Sequence, residues 1–215
     1  WSQVIKGLSQ VGITNYLRSS AVNGHLPIFL KQWQQKFHSP KNKVSPGAYG
    51  YLLSMAKAIQ YAQKQNLESI LLLDDDILFH QKFTQLFSKT LSNLPKDWKL
   101  LYLGSSHHRD WHKVMWHSSK SFYYPKGYVD GSFACAIHHT IYSELLMLIS
   151  NSVLPFDSGP LKKIQQKYWH QTLVWYPNLI IADVRNSNIR SEGGEAYQYK
   201  WSKLCRWNMK DYLIF

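Results

Sequence analysis

A short apolar run, Ser69-Ile70-Leu71-Leu72-Leu73, closes on three consecutive aspartates, Asp74-Asp75-Asp76. No other stretch restricts the fold so tightly. Such a run, bounded by a charged turn, reads as a buried strand of a mostly parallel sheet, and open α/β sheets bind ligands at the carboxyl ends of their strands. Side chains alternate along a strand, which turns Asp74 and Asp76 one way and Asp75 the other. Two carboxylates on one side repel unless a cation lies between them. Oxygen ligands suit a hard divalent ion, Mg2+ or Mn2+. The plainer alternatives are a solvated acidic turn or the N-cap of the next helix. A cap uses one aspartate, and three exceed that need.

Periodicity builds a domain around this strand. Ser45-Pro46 is an N-cap and first-turn pair, after which Tyr49, Leu52, Leu53, Ala56, Ile59 and Ala62 recur at helical spacing, so a helix is expected over Gly47 to Gln65. Helices are also expected over Ser2 to Gln10, Gln81 to Leu91, Thr140 to Ile149 and Leu161 to Tyr168. Strands are expected over Asn15 to Val22, Leu100 to Leu103, Phe133 to Ile137, Leu173 to Trp175 and Leu179 to Ala182. Strand, helix and strand between Ser69 and Leu103 form a βαβ unit, which implies parallel pairing. Ser105 to Tyr128 reads as a long loop or hairpin, of the kind that is often functional. Phe29 to Ser39 and the polar, aromatic tail from Asn186 carry no readable pattern.

Composition narrows the class. The 215 residues, 45% of them apolar, suffice for one α/β domain with a sizeable core. Nine Trp and fourteen Tyr are a heavy load for one domain, and amphipathic rings of this kind line grooves and interfaces. The net charge of +12 attracts phosphates, whether on nucleotides, nucleic acid or anionic lipid. Two distant cysteines, Cys135 and Cys205, are no disulfide framework, and a reducing compartment is the default. No apolar stretch approaches the roughly 18 residues of a membrane span.

The helix and the acidic strand together resemble glycosyltransferase family 25, the bacterial lipooligosaccharide and capsule enzymes related to the collagen galactosyltransferases. The family pattern Gly-x-x-Gly-x-x-x-Ser-His on a helix, then Leu-Glu-Asp-Asp on a strand, is matched by Gly47, Gly50 and Ser54, then Leu73-Asp74-Asp75-Asp76. In family order come Ala21-Val22-Asn23-Gly24, Tyr102-Leu103-Gly104, Pro155-Phe156-Asp157 and Ser187-Asn188-Ile189. Met55 stands where the family has histidine and Asp74 where it has glutamate. The family's opening strand has no counterpart before Trp1, so the expected sheet lacks its first strand.

This resemblance implies a single GT-A domain over residues 1–215, with a mostly parallel, Rossmann-like sheet. Its donor-binding part would span about 1–104, and its acceptor and catalytic part about 105–215. It implies a metal-dependent inverting transfer of a hexose from a nucleotide sugar, UDP-galactose or UDP-glucose, to a glycan or lipid-linked acceptor. Mn2+ or Mg2+ would be held by Asp76 directly and by Asp74 through water, unless Asp74 instead reaches the donor's ribose, with His170 as a further ligand. Asp75, facing away, points to the donor sugar or to a neighbouring cation. Gly47, Gly50 and Ser54 would line the donor at the helix start, although close helix packing explains the glycines equally well. Arg18 and Asn23 would lie near base and ribose, unless they are ordinary surface turns. The general base is Asp157 or, second, Asp130, each of which also fits a turn. The cationic loop His107-His108-Arg109-Asp110-Trp111-His112 would close over the diphosphate. The setting expected is cytoplasmic, peripheral at an anionic membrane face. Two other classes compete: a basic nucleic-acid-binding module, for which no recognised motif is present, and a metal-dependent phosphoryl-transfer enzyme, for which no Gly-x-x-x-x-Gly-Lys-Ser/Thr loop is present.

Overall fold

The computed structural model describes residues 2–38, 44–106, 111–185 and 194–214. Its centre is a six-stranded sheet of β1 (Ser69–Leu73), β3 (Leu100–Tyr102), β4 (Met115–Trp116), β5 (Phe122–Tyr124), β6 (Ala134–His138) and β7 (Thr172–Trp175), in the order β1-β6-β3-β7-β5-β4. A two-stranded annex pairs β2 (Ile77–Phe79) with β8 (Ile180–Ala182). The helices are α1 (Ser2–Gln10), α2 (Pro27–Lys36), α3 (Pro46–Lys64), α4 (Phe83–Leu91), α5 (Tyr142–Ser150), α6 (Lys162–Lys167) and α7 (Glu195–Cys205).

Alternation along the strands sends side chains into two apolar layers. Leu100, Tyr102, Cys135, Ile137 and Val174 join one layer with Leu52, Ile59 and Ala62 of α3, Leu145 of α5 and Ile164 of α6. Leu101, Ala134, Ala136, Leu173 and Trp175 join the other with Val4 and Leu8 of α1, Phe83 of α4 and Cys205 of α7. On that second face Phe83, Phe87 and Trp175 stack in sequence, with centroids 5.7 and 5.3 Å apart. One sheet carries both layers, and the chain is a single α/β domain.

The sheet corrects the expectation of mostly parallel pairing. β1, β3 and β7 run in one direction, yet only β3 and β7 are parallel neighbours. β6 lies between β1 and β3 and is antiparallel to both. The reason is the path of the chain. Beyond β3 it passes through the β4–β5 hairpin and returns to the carboxyl end of β3, where Ser106 N–H bonds Asp130 carbonyl (2.8 Å). A strand that starts from that end must run back, so β6 splits the βαβ pair.

Asn15 to Val22 forms no ladder. It is an irregular segment, exposed from 14 to 21, tied down where Val22 N–H bonds Ser54 Oγ (2.8 Å).

Helix α3 forms as its capping residues dictate: Ser45 Oγ accepts from Ala48 N–H (3.1 Å), and Pro46 opens the first turn. It leads through a short turn into β1 and packs antiparallel to it. Its amino end therefore lies at the carboxyl end of β1, beside the aspartates.

Candidate active site

Asp74 extends β1 by one residue, its N–H bonding Phe133 carbonyl (2.9 Å). The chain then bends, and the alternation of the strand stops. Asp74 is half-buried, whereas Asp75 and Asp76 are both exposed. From the amino end of α3, Tyr51 reaches across and donates its hydroxyl to Asp74 (3.0 Å to Oδ1, 3.3 Å to Oδ2). Tyr51 Oη also lies 2.9 Å from Ser132 Oγ; with its single proton on Asp74 it accepts from the serine. Burial, reinforced by the charge of Asp74, pushes the Tyr51 hydroxyl well above its usual range, so it stays a neutral donor.

The electrostatics identify which acids meet. Burial and then the Asp76 carboxylate raise Asp74 to about 7, partly offset by the Tyr51 bond, with smaller contributions from Asp75 and Asp157. Of the two acids that follow it, Asp76 acts on Asp74 more strongly than Asp75 does. Asp157 opens a helical turn over Asp157–Leu161, and its Oδ1 accepts from Ser158 N–H (2.7 Å). Its carboxyl is also raised, by burial and the nearby Asp130, against a bond from the Gly131 backbone. Asp130 is held through its neighbour: buried Gln165 bonds both backbone groups of Val129 (3.0 and 3.1 Å) and the Tyr102 hydroxyl (2.8 Å). Asp74, Asp76, Asp130 and Asp157 thus gather at one end of the sheet. Among the described residues no three His, Cys, Asp or Glu side chains are arranged to hold a metal unaided.

The donor candidates divide. A Cβ on Gly50 would lie 2.3 Å from Val22 carbonyl oxygen, and one on Gly24 would lie 1.8 Å from Pro46 carbonyl oxygen. These glycines let segment 22–24 lie directly on α3. Ser54 donates to Gly50 carbonyl (2.8 Å) while accepting from Val22, so its hydroxyl is used inside this contact. Gly50 and Ser54 therefore serve packing, against the expectation that they line the donor. Gly47 differs: a Cβ there would meet nothing nearer than Ser45 Oγ at 3.9 Å. Asn23 shapes the adjoining turn, its Oδ1 accepting from His25 N–H (3.0 Å). Arg18 lies in the exposed part of the segment.

His170 is a correction. It stands in the turn Trp169–Gln171 that enters β7 at Thr172, which pairs with Leu100 at the start of β3. That is the opposite end of the sheet from Asp74, because β7 runs parallel to β3. The structure does not bring His170 to the aspartates; its ring rests on Trp169, with centroids 3.3 Å apart. Of the expected loop, His107, His108, Arg109 and Asp110 lie outside the described residues, as do Ser187, Asn188 and Ile189.

Two features were missed from sequence. Tyr51 is one, because nothing local to the helix says that its hydroxyl will meet Asp74, 23 residues on. The other is Asp183, whose N–H bonds Asp76 carbonyl (2.7 Å) and whose carboxylate grips Arg185 in a fork (2.7 and 2.6 Å). This fork brings a guanidinium, also bonded to Glu195 (3.2 Å), close to the acidic turn.

The sequence model of glycosyltransferase family 25 (LPS biosynthesis protein) matches residues 18–142, more than half of the chain. The matched stretch contains Asn23, α3, the aspartates and Asp130. A comparison with curated proteins found no match.

Proposed function

The chain belongs to glycosyltransferase family 25 and is a glycosyltransferase, and from this premise we propose that it transfers a hexose from a UDP-sugar to a surface-glycan acceptor with inversion, using a divalent metal. The observation that carries the reading is the carboxylate of Asp74, fixed by Tyr51 and raised to about 7 in the company of Asp76 and Asp157. A cluster that resists full ionisation suits a cation, and an all-oxygen set suits Mg2+ or Mn2+. Such ions need only one or two protein carboxylates when a diphosphate and water complete the shell. The lack of a third described side chain is compatible with that.

Asp76 would hold the ion directly and Asp74 through water, oriented by Tyr51. When bound, the ion stabilises the negative charge that builds on the departing diphosphate. The open space at Gly47, at the amino end of α3, receives a donor phosphate on the Gly47 N–H at the positive end of the helix, with Asn23 and Arg18 towards the nucleoside. Asp157 takes the proton of the acceptor hydroxyl as that oxygen bonds the anomeric carbon and the nucleoside diphosphate leaves. Asp157 ranks above Asp130 because it is more deeply placed among the acids and its charge reaches Asp74. The carboxyl end of β1 and the start of α3 thus form the donor side, and residues beyond about 105 the acceptor side.

Family membership displaces the nucleic-acid and phosphoryl-transfer alternatives. The +12 charge then favours an acceptor at an anionic membrane face. Among the described residues no helix is long and apolar enough to cross a membrane. The test is a panel of nucleotide sugars assayed for hydrolysis and transfer with Mn2+, using wild type and Asp76→Ala. Activity in wild type, lost in the variant and in chelator, supports the reading; full activity in chelator refutes the metal.

A further inference from the structure

A second hollow lies at the same end of the sheet as the aspartates, where β7 continues into Tyr176-Pro177-Asn178. It is a cavity of about 120 Å³. Pockets for drug-sized ligands start near roughly 300 Å³, so this one takes part of a single sugar ring and not a nucleotide. Trp111, Tyr176, Asn178, Arg206, Asn208 and Asp211 line it, over a floor that includes Tyr123.

The walls are built and fixed. The Trp111 ring lies edge-on to Tyr123 (5.2 Å) and tilted to Tyr176 (5.9 Å), and the Arg206 guanidinium sits 4.8 Å over Trp111. Trp116, 44% exposed, extends the aromatic wall at 5.1 Å from Tyr176. Asn178 Nδ2 donates to Ser105 carbonyl (3.2 Å), Tyr212 hydroxyl donates to Asn178 carbonyl (2.7 Å), and Asn208 Nδ2 donates to Asp211 (2.9 Å). Aromatic faces beside fixed amide, carboxylate and guanidinium groups match a sugar, which offers C–H faces for the rings and hydroxyls for the polar groups.

Place and charge refine the ligand. β6 and β3 lie between β1 and β7, so three strand spacings of about 4.8 Å put the hollow ~14 Å along the sheet edge from Asp74. That separates it from the donor side by a length that a short oligosaccharide spans. On α7 the exposed Lys200 and Lys203 lead at helical spacing to exposed Arg206, and all three line an adjoining shallow depression. The nearby acids are engaged, Asp211 by Asn208 and Glu195 by Arg185.

We propose that the Trp111–Tyr176–Arg206 hollow is an acceptor subsite that holds a sugar residue of the glycan, with an anionic substituent of that glycan on Lys200, Lys203 and Arg206. This proposal rests on the glycosyltransferase reading and adds the chemical class of the acceptor. The test is saturation-transfer NMR on the whole protein with UDP and Mg2+ present, using methyl α-glucoside and glucose 6-phosphate as probes. Both probes should receive saturation, glucose 6-phosphate with at least fivefold tighter binding. Tyr176→Leu should weaken both at least fivefold. Arg206→Asn, which keeps a residue tolerant of the left-handed backbone there (φ 61°), should remove the advantage of the phosphate, with the affinity for UDP unchanged in both variants. Equal probe binding in wild type and variants overturns the proposal, as does absence of saturation in wild type. Asp76→Asn separates the two claims: if it abolishes UDP binding and leaves probe binding intact, both stand. If UDP binding survives it, the donor reading fails while the probe results still judge the hollow.

Discussion

The Tyr51 hydroxyl lies 3.0 Å from Asp74 Oδ1 and joins the first turns of α3 to the carboxyl end of β1. This bond fixes the orientation of one acid among several that repel each other. Tyr51→Phe keeps the ring against Phe156 (centroids 6.1 Å) and removes only the donor. We expect a 10- to 100-fold loss in Mn2+ affinity, roughly the effect of losing a bond that orients a metal ligand, with stability changed by about 1 kcal/mol. Metal titration and urea unfolding of the same variant check both values. Unchanged metal affinity would make Tyr51 a packing residue.

Asp74 carries a pH dependence with a defined sign. Its folded-state value, about 7, lies above the ordinary 3.8, so the folded chain binds this proton more tightly than the unfolded chain. Its contribution is neutral below about pH 4, and stability is lost as pH rises from there through 7. Asp157 shifts in the same direction. In metal-free protein, Asp74→Asn should be more stable than wild type at pH 8 by about 1–2 kcal/mol after allowance for screening, and equal to it near pH 4. Urea unfolding at the two pH values decides; a variant less stable at pH 8 contradicts this account.

The two glycines of α3 should part company. Gly50→Ala drives a methyl group into Val22 carbonyl oxygen at 2.3 Å and should cost about 1–3 kcal/mol or more. Gly47→Ala meets only ordinary contact at 3.9 Å, so its stability should hold or rise slightly. Its KM for the nucleotide sugar should nevertheless rise, because the added methyl occupies the space assigned to donor phosphates. Thermal melts and donor titrations of both variants form the comparison.

For the base, Asp157→Asn should lower kcat roughly 100-fold or more and leave UDP affinity intact. Asp130→Asn should lower it far less. Steady-state kinetics with the active nucleotide sugar tests the ranking, and the reverse order would reassign the base to Asp130.

Much of the site was legible because its signals are local. Ser45-Pro46 and the spacing of Leu52, Ile59 and Ala62 mark α3, and the run closing on Asp74 marks β1. What was not legible depends on partners distant in sequence. Nothing near Ala134 says that β6 will enter between β1 and β3, because that follows from where the chain returns at Asp130. His170 looked available as a ligand until the direction of β7 placed it at the far end. The packing role of Gly50 appears only when Val22 is laid against it. Helix α7 carries two lysines, two tyrosines and a tryptophan over Glu195–Cys205, with too little apolar periodicity to distinguish it from a loop.

If Asp74 and Asp76 bind the donor's leaving group through a divalent ion, UDP must need both the acid and the metal. Isothermal titration of UDP into wild type and Asp76→Asn, with Mn2+ and with EDTA, is the decisive measurement. Binding should occur only in wild type with Mn2+. Equal UDP affinity in EDTA, or in the variant, would contradict the claim.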